Sequence, residues 1–86
     1  MMSIGEELNE FGMCFNDRLS ETNLKFALNY IGLSEVPLAL ETLCDYLCEG
    51  DVPVTEEEYK RIAYFDQALK YPLNKRVMRY LQDLIL

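Results

Sequence analysis

The sequence contains no histidine and no tryptophan among its 86 residues. Without histidine, the Ser–His and Cys–His pairs of nucleophilic enzymes lack their base, and the common catalytic zinc sites lack a ligand. No pair of carboxylates stands apart from an ordinary charged surface as a general acid and base. We therefore expect a protein that is not an enzyme and that needs no cofactor.

Cysteine is scarce, with Cys14, Cys44 and Cys48 as the only examples. An odd number of cysteines cannot all pair within one chain. Cys44 and Cys48 are four residues apart, which is not the Cys-x-x-Cys spacing of a zinc site, and no histidine completes a ligand set. A cysteine on an apolar helical stripe is usually a small core residue. We predict buried thiols and no metal site.

Long hydrophobic runs are absent, and the longest falls well short of the roughly 20 residues that a membrane span needs. The start of the chain, residues 1–7, lacks the basic and apolar regions of a signal peptide. A chain of this length can bury about 60% of its unfolded surface, which is sufficient for one core. We expect one cytoplasmic domain over residues 1–86 that binds no membrane.

Basic residues are few, because eight Lys and Arg stand against fifteen Asp and Glu, for a formal net charge of −7. This balance disfavours binding to nucleic acid, which requires a cationic surface. Residues 1–59 hold thirteen acidic and two basic residues, whereas residues 60–86 hold two acidic and six basic ones. The charge predicts a basic protein partner. A competing hypothesis is an antitoxin or regulator that binds nucleic acid, and the basic segment 60–86 is the only feature that supports it.

Apolar residues recur at helical spacing along most of the chain. The first stripe runs from Ile4 to Leu19 and predicts one helix over that range. A second stripe is capped by Ser20 or Thr22 and stops at Gly32. We expect Gly32 to take the left-handed conformation that often ends a helix.

A third helix is predicted between Ser34, as its N-cap, and Gly50, with Pro37 in its first turn. The stripe of this helix consists of Leu40, Leu43, Cys44 and Leu47. Residues 51–54 precede a capping box and contain a proline, so we expect them to be extended. Val52 and Val54 should anchor this loop to the core.

A fourth helix starts at the capping box Thr55-Glu56-Glu57-Glu58 and is broken at Tyr71-Pro72. The last stripe, from Val77 to Ile85, predicts a fifth helix that runs to the carboxyl end. No segment alternates with period two for long enough to indicate a strand. The fold class is therefore all-α, a compact bundle of four to five short helices.

Acidic residues concentrate where the third helix ends and the fourth begins. Glu41, Asp45 and Glu49 are four residues apart and share one helical face, where like charges destabilise an isolated helix by roughly 0.2–0.5 kcal/mol per pair. One interpretation is a solvated face, with Glu56, Glu57 and Glu58 complementing the positive end of the fourth helix. The other is a negative ridge that docks a basic protein.

Tyrosine is the commonest aromatic residue, with six examples, and is enriched at protein interfaces. Tyr46 lies between Asp45 and Leu47, off the main stripe of the third helix. We therefore expect Tyr46 at the surface, as an aromatic anchor for a partner. Tyr59 and Tyr80 are expected to pack against other helices.

The segment Leu38–Tyr59 contains an Ala-Leu-Glu-x-Leu-Cys-Asp helix, an acidic valine–proline turn and a Thr-x-Glu-Glu-Tyr helix start. In these features it resembles the central signature of the MafI-type family of bacterial immunity proteins. The resemblance covers about a quarter of the chain. The sequence departs from the family pattern at Cys48 and from Phe65 onward.

This resemblance implies a protein that is encoded beside a secreted polymorphic toxin and binds the toxin's C-terminal domain in a 1:1 complex. The implied target is a nuclease, often an EndoU-type RNase, whose cationic cleft an acidic surface can block. The expected toxin-binding residues are Glu41, Asp45, Tyr46, Glu49, Asp51, Glu56 and Glu57. Contacts could instead involve Lys75, Arg76 and Arg79. The alternative function is a helical adaptor for a basic partner with no link to a toxin.

Overall fold

A computed structural model describes residues 1–86 and contains five α-helices and no β-strand. The helices are Ile4–Met13 (α1), Glu21–Gly32 (α2), Val36–Glu49 (α3), Glu56–Ala68 (α4) and Lys75–Asp83 (α5). The predicted all-α bundle is confirmed. None of the helices has both the length and the apolar character required to cross a membrane.

The core is one cluster of 17 buried apolar residues. Helix α3 lies at its centre and contacts each of the other four helices. The predicted α3 stripe is fully buried, and it includes Leu40, Leu43 and Leu47. Against it pack the rings of Phe11 and Phe65, whose centroids lie 5.5 Å apart. The 3.6-residue period therefore identified the buried face of the central helix correctly.

Side-chain caps fix where most helices begin. The predicted capping box is confirmed, because the Thr55 hydroxyl accepts from the Glu58 amide and the Glu58 carboxylate accepts from the Thr55 amide. Ser20 caps α2, as predicted, by accepting from the Asn23 amide at 3.1 Å. These contacts are local in sequence, which makes them readable from it.

The turn between α2 and α3 differs from the prediction. Gly32 is the last residue of α2 and has no positive φ; the left-handed residue is Ser34, at φ 60°. Ser34 therefore does not cap α3, and Glu35, which precedes the helix, makes no side-chain cap. Pro37 lies in the first turn as predicted, where its missing N–H leaves no helical hydrogen bond unmade.

Helix α1 ends at Met13, six residues earlier than predicted, and turns follow it. Phe15 and Arg18 donate backbone N–H groups to carbonyls three residues earlier, at 3.0 and 2.9 Å. These tighter turns keep Phe15 fully buried and Leu19 packed against the core. The apolar stripe therefore reports the inward face correctly but not the extent of the helix.

The loop after α3 starts at Gly50, as predicted, but Asp51 has a φ of 48° and is not extended. Val52 and Val54 are both buried, which confirms their predicted anchoring role. The chain reverses at Asp51 immediately after the helix, so the extended part of the loop is shorter than expected.

The carboxyl end pairs with this loop and does not continue α5. The Val54 N–H donates to the Leu84 carbonyl at 3.1 Å, and the Leu86 N–H donates to the Val54 carbonyl at 3.0 Å. The result is an isolated parallel bridge between Val54 and Ile85. Helix α5 ends at Asp83 because the backbone beyond it is engaged in these long-range hydrogen bonds.

The three thiols lie in different environments. Cys44 is buried, Cys48 is half-buried and Cys14 is exposed. The prediction of buried thiols is therefore correct for Cys44 and wrong for Cys14, which lies just beyond α1. Burial raises the pKa of Cys44 well above its ordinary value, because the interior disfavours the thiolate.

Candidate protein-binding surface

Glu41, Asp45 and Glu49 lie on the face of α3 opposite its buried stripe, and we call these three residues the α3 ridge. Asp45 and Glu49 are exposed and Glu41 is half-buried. At 1.5 Å per residue, the ridge runs for about 12 Å along the helix. No ion pair involves any of its carboxylates. The ridge is therefore a line of negative charge open to a partner.

Ion pairs within the protein neutralise little of its charge. All of them involve Arg18 or Lys25, and their acidic partners are Asp17, Glu21 and Glu58. The six basic residues of 60–86 form no ion pair, although the chain carries fifteen acidic residues. The opposite charges of the two segments thus remain available to act on an approaching molecule.

Tyr46, the expected aromatic anchor, is half-buried and packs against the core. Only part of its side chain can meet a partner, so the predicted surface position is correct only in part. Tyr59 packs against the core as expected. Tyr80 does not, because it is 44% exposed.

Asp51 is held by α5. The Tyr80 hydroxyl donates a hydrogen bond to Asp51 Oδ1. This hydrogen bond and the negative charge of Asp51 raise the pKa of Tyr80, because both favour the protonated phenol. Asp51 therefore connects the loop after α3 to α5 as well as presenting a carboxylate near the ridge.

Glu57 faces a different surface, a cleft of about 790 Å³ between α1 and α4. Glu7 and Glu10 from α1 line the same cleft, together with Arg61 and the buried Phe11. The Arg61 guanidinium lies 5.9 Å from the centroid of the Phe11 ring. Sequence reasoning missed Glu7 and Glu10, because only the packing of α1 against α4 brings them beside Glu57.

Glu58 has a structural role. Its carboxylate accepts two hydrogen bonds from Arg18, at 2.9 and 2.7 Å. The Arg18 guanidinium, followed by the Thr55 amide, lowers the pKa of Glu58 below its ordinary value. The carboxylate is thus occupied in joining α4 to the turn after α1, and it is not available to a partner.

The seven expected toxin-binding residues therefore do not form one continuous site. The structure brings together the three carboxylates of the α3 ridge, ties Asp51 to α5 and places Glu57 in the cleft between α1 and α4, while Glu56 is exposed on the first turn of α4. No family model, curated protein or solved structure matches the chain.

Proposed function

We propose that this protein is an immunity protein of the MafI type, which binds the basic C-terminal nuclease domain of a secreted bacterial toxin and blocks access of RNA. The observation that supports this most is the α3 ridge, whose three carboxylates have no cationic neighbour in ion-pair range. The resemblance of Leu38–Tyr59 to the family signature adds the identity of the partner.

The proposed mechanism is electrostatic occupation of a cationic cleft. A nuclease binds the phosphates of its substrate with basic side chains. Carboxylates at regular intervals along α3 present a similar line of negative charge on a rigid helix. Their field would also steer the two proteins together and accelerate association. The inhibition is non-covalent and needs no cofactor.

The test is to co-express the protein with the C-terminal domain of the protein encoded immediately upstream. Co-purification is measured first, and RNA cleavage by that domain is then assayed with and without this protein. Stoichiometric binding with loss of cleavage supports the proposal. Binding without loss of cleavage would contradict the proposed block of RNA access, and absence of binding would favour the adaptor for an unrelated basic partner.

Charge reversal then locates the interface. The variant Asp45→Lys/Glu49→Lys should slow association about tenfold or more at low salt and flatten its salt dependence. The variant Glu10→Lys/Glu57→Lys changes the net charge equally, but in the cleft between α1 and α4. We expect a smaller effect from it. An unchanged association rate for the α3 ridge variant would remove the ridge from the interface.

A further inference from the structure

The hairpin of α2 and α3 carries an exposed apolar patch, which we define as Phe26, Tyr30, Leu33 and Leu38. Phe26 is 53% exposed, Leu33 62% and Leu38 37%, while Tyr30 is half-buried. The other three phenylalanines of the chain are buried in the core. The Tyr30 and Phe26 rings are nearly perpendicular, with centroids 5.6 Å apart, so the two aromatic side chains are in contact.

The hairpin apolar patch adjoins the α3 ridge. Phe26 and Tyr30 are four residues apart on one face of α2, and Leu33 is the C-cap residue of that helix. Tyr30 also packs against the core, and α3 is the main neighbour of α2. On α3, Leu38 lies seven residues before Asp45 and shares its outer face.

The core does not explain why Phe26 is aromatic. Phe26 belongs neither to the buried cluster nor to the partly buried residues that pack against it. No Arg or Lys covers its ring, whereas Phe15 lies under Arg18 at 4.4 Å. A large ring left in water beside a charged ridge is typical of an interaction surface.

Charge decides between the possible occupants of the patch. The sequence has no Lys or Arg from Phe26 to Tyr59, and Lys25, which precedes Phe26, is paired with Glu21 at 2.8 Å. All the charged residues of this segment are therefore acidic except Lys25 just before it. A second copy of the chain, related by twofold symmetry, would set the α3 ridge opposite another α3 ridge. Like charges facing each other disfavour that dimer. A partner with an apolar contact rimmed by Lys and Arg fits both features.

We infer that the hairpin apolar patch is the anchor of the toxin interface, and that Phe26 inserts into an apolar pocket on the basic domain while the α3 ridge meets its cationic rim. This inference rests on the proposed function and names the residues that hold the complex together. Aromatic anchors surrounded by a polar rim contribute most of the affinity of many interfaces.

The test compares Phe26→Ala with Met13→Ala, using the C-terminal domain of the upstream-encoded protein as the probe in binding kinetics. Met13 is a matched control, because it is 47% exposed but lies in the groove between α1 and α2. Phe26→Ala should weaken binding about 30-fold or more, mainly through faster dissociation. Met13→Ala should change the Kd less than about threefold, and melting curves verify that both variants fold.

Three results would overturn the inference. If the wild type binds and Phe26→Ala binds equally well, the anchor is wrong while the proposed function stands. If the wild type does not bind the domain, the proposed function fails and the anchor with it. If sedimentation shows that the free wild type is a dimer that Phe26→Ala dissociates, the patch serves self-association.

Discussion

Replacing Arg18 with methionine should destabilise the protein by about 2–4 kcal/mol, because its guanidinium joins three parts of the chain. It donates to both carboxylate oxygens of Glu58, at 2.9 and 2.7 Å. It also donates to the carbonyls of Pro53 and Cys14, each at 3.1 Å. Only 24% of the Arg18 side chain and 16% of the Glu58 side chain are exposed.

Most of this loss comes from the bidentate pair. Hydrogen bonds to charged groups contribute roughly 1.5–3 kcal/mol in net terms. The Arg18→Met variant would leave the Glu58 carboxylate with only the Thr55 amide, at 2.9 Å. The freed carbonyls of Pro53 and Cys14 can bind water, so they add about 1 kcal/mol at most. A domain of this size has roughly 4–13 kcal/mol of stability, so the loss is large.

Urea unfolding, followed by circular dichroism, measures this loss. Arg18→Met should lower the urea concentration at the midpoint without changing the dependence of the unfolding free energy on urea. In thermal melts the same loss corresponds to a decrease in Tm of roughly 10–25 °C. The matched variants are Glu58→Gln and the double variant Arg18→Met/Glu58→Gln, which complete a thermodynamic cycle. A loss below about 0.5 kcal/mol, or strict additivity in the cycle, would refute the proposed role of the pair.

The pair also predicts a pH dependence of the free energy of unfolding. Because the Glu58 pKa is lower in the folded protein than its ordinary value of 4.5, the folded state favours the ionised carboxylate. Its contribution is complete above the unfolded pKa and is lost as the pH falls through the folded pKa. The difference in stability between wild type and Glu58→Gln should therefore be constant above about pH 5.5 and shrink below pH 4.5.

Glycine substitutions and thiol reactivity provide two further tests. Gly12→Ala should lower the free energy of unfolding by about 1–2 kcal/mol, since its Cβ would lie 2.7 Å from Leu28 Cδ2. Gly32→Ala should raise it by up to about 1 kcal/mol, because the added Cβ meets nothing within 4 Å. Thermal melts measure both, and equal effects would contradict this packing. With a thiol reagent at pH 8, Cys14 should react in the native protein and Cys44 only on unfolding, because Cys44 is buried and its pKa is raised; rapid native reaction of Cys44 would contradict its burial.

Local interactions are the part of this fold that the sequence specifies directly. The capping box at Thr55, the cap at Ser20 and the position of Pro37 all depend on contacts within four residues. The stripe of α3 was also readable, because a 3.6-residue period directly encodes one buried face. An all-α class and a bundle of four to five helices followed from these signals.

Predictions failed where long-range contacts or tight turns replaced a regular helix. The stripe from Ile4 to Leu19 continues through turns beyond α1, since those turns still place Phe15 in the core. Ser34 has good N-cap chemistry, but the reversal of the chain uses it in the left-handed conformation. More than one backbone conformation can therefore bury the same pattern of apolar residues.

The sequence by itself determined the net charge of this protein and the alignment of the three α3 ridge carboxylates on one helical face, because both depend only on composition and spacing. Tertiary structure alone decided that Arg18 pairs with Glu58. It also decided that Glu57 and Glu7 line the same cleft and that Phe26 stays outside the core. A helical period defines which residues share a face. Which faces are then covered depends on how distant helices pack, and that decides which groups a partner can reach.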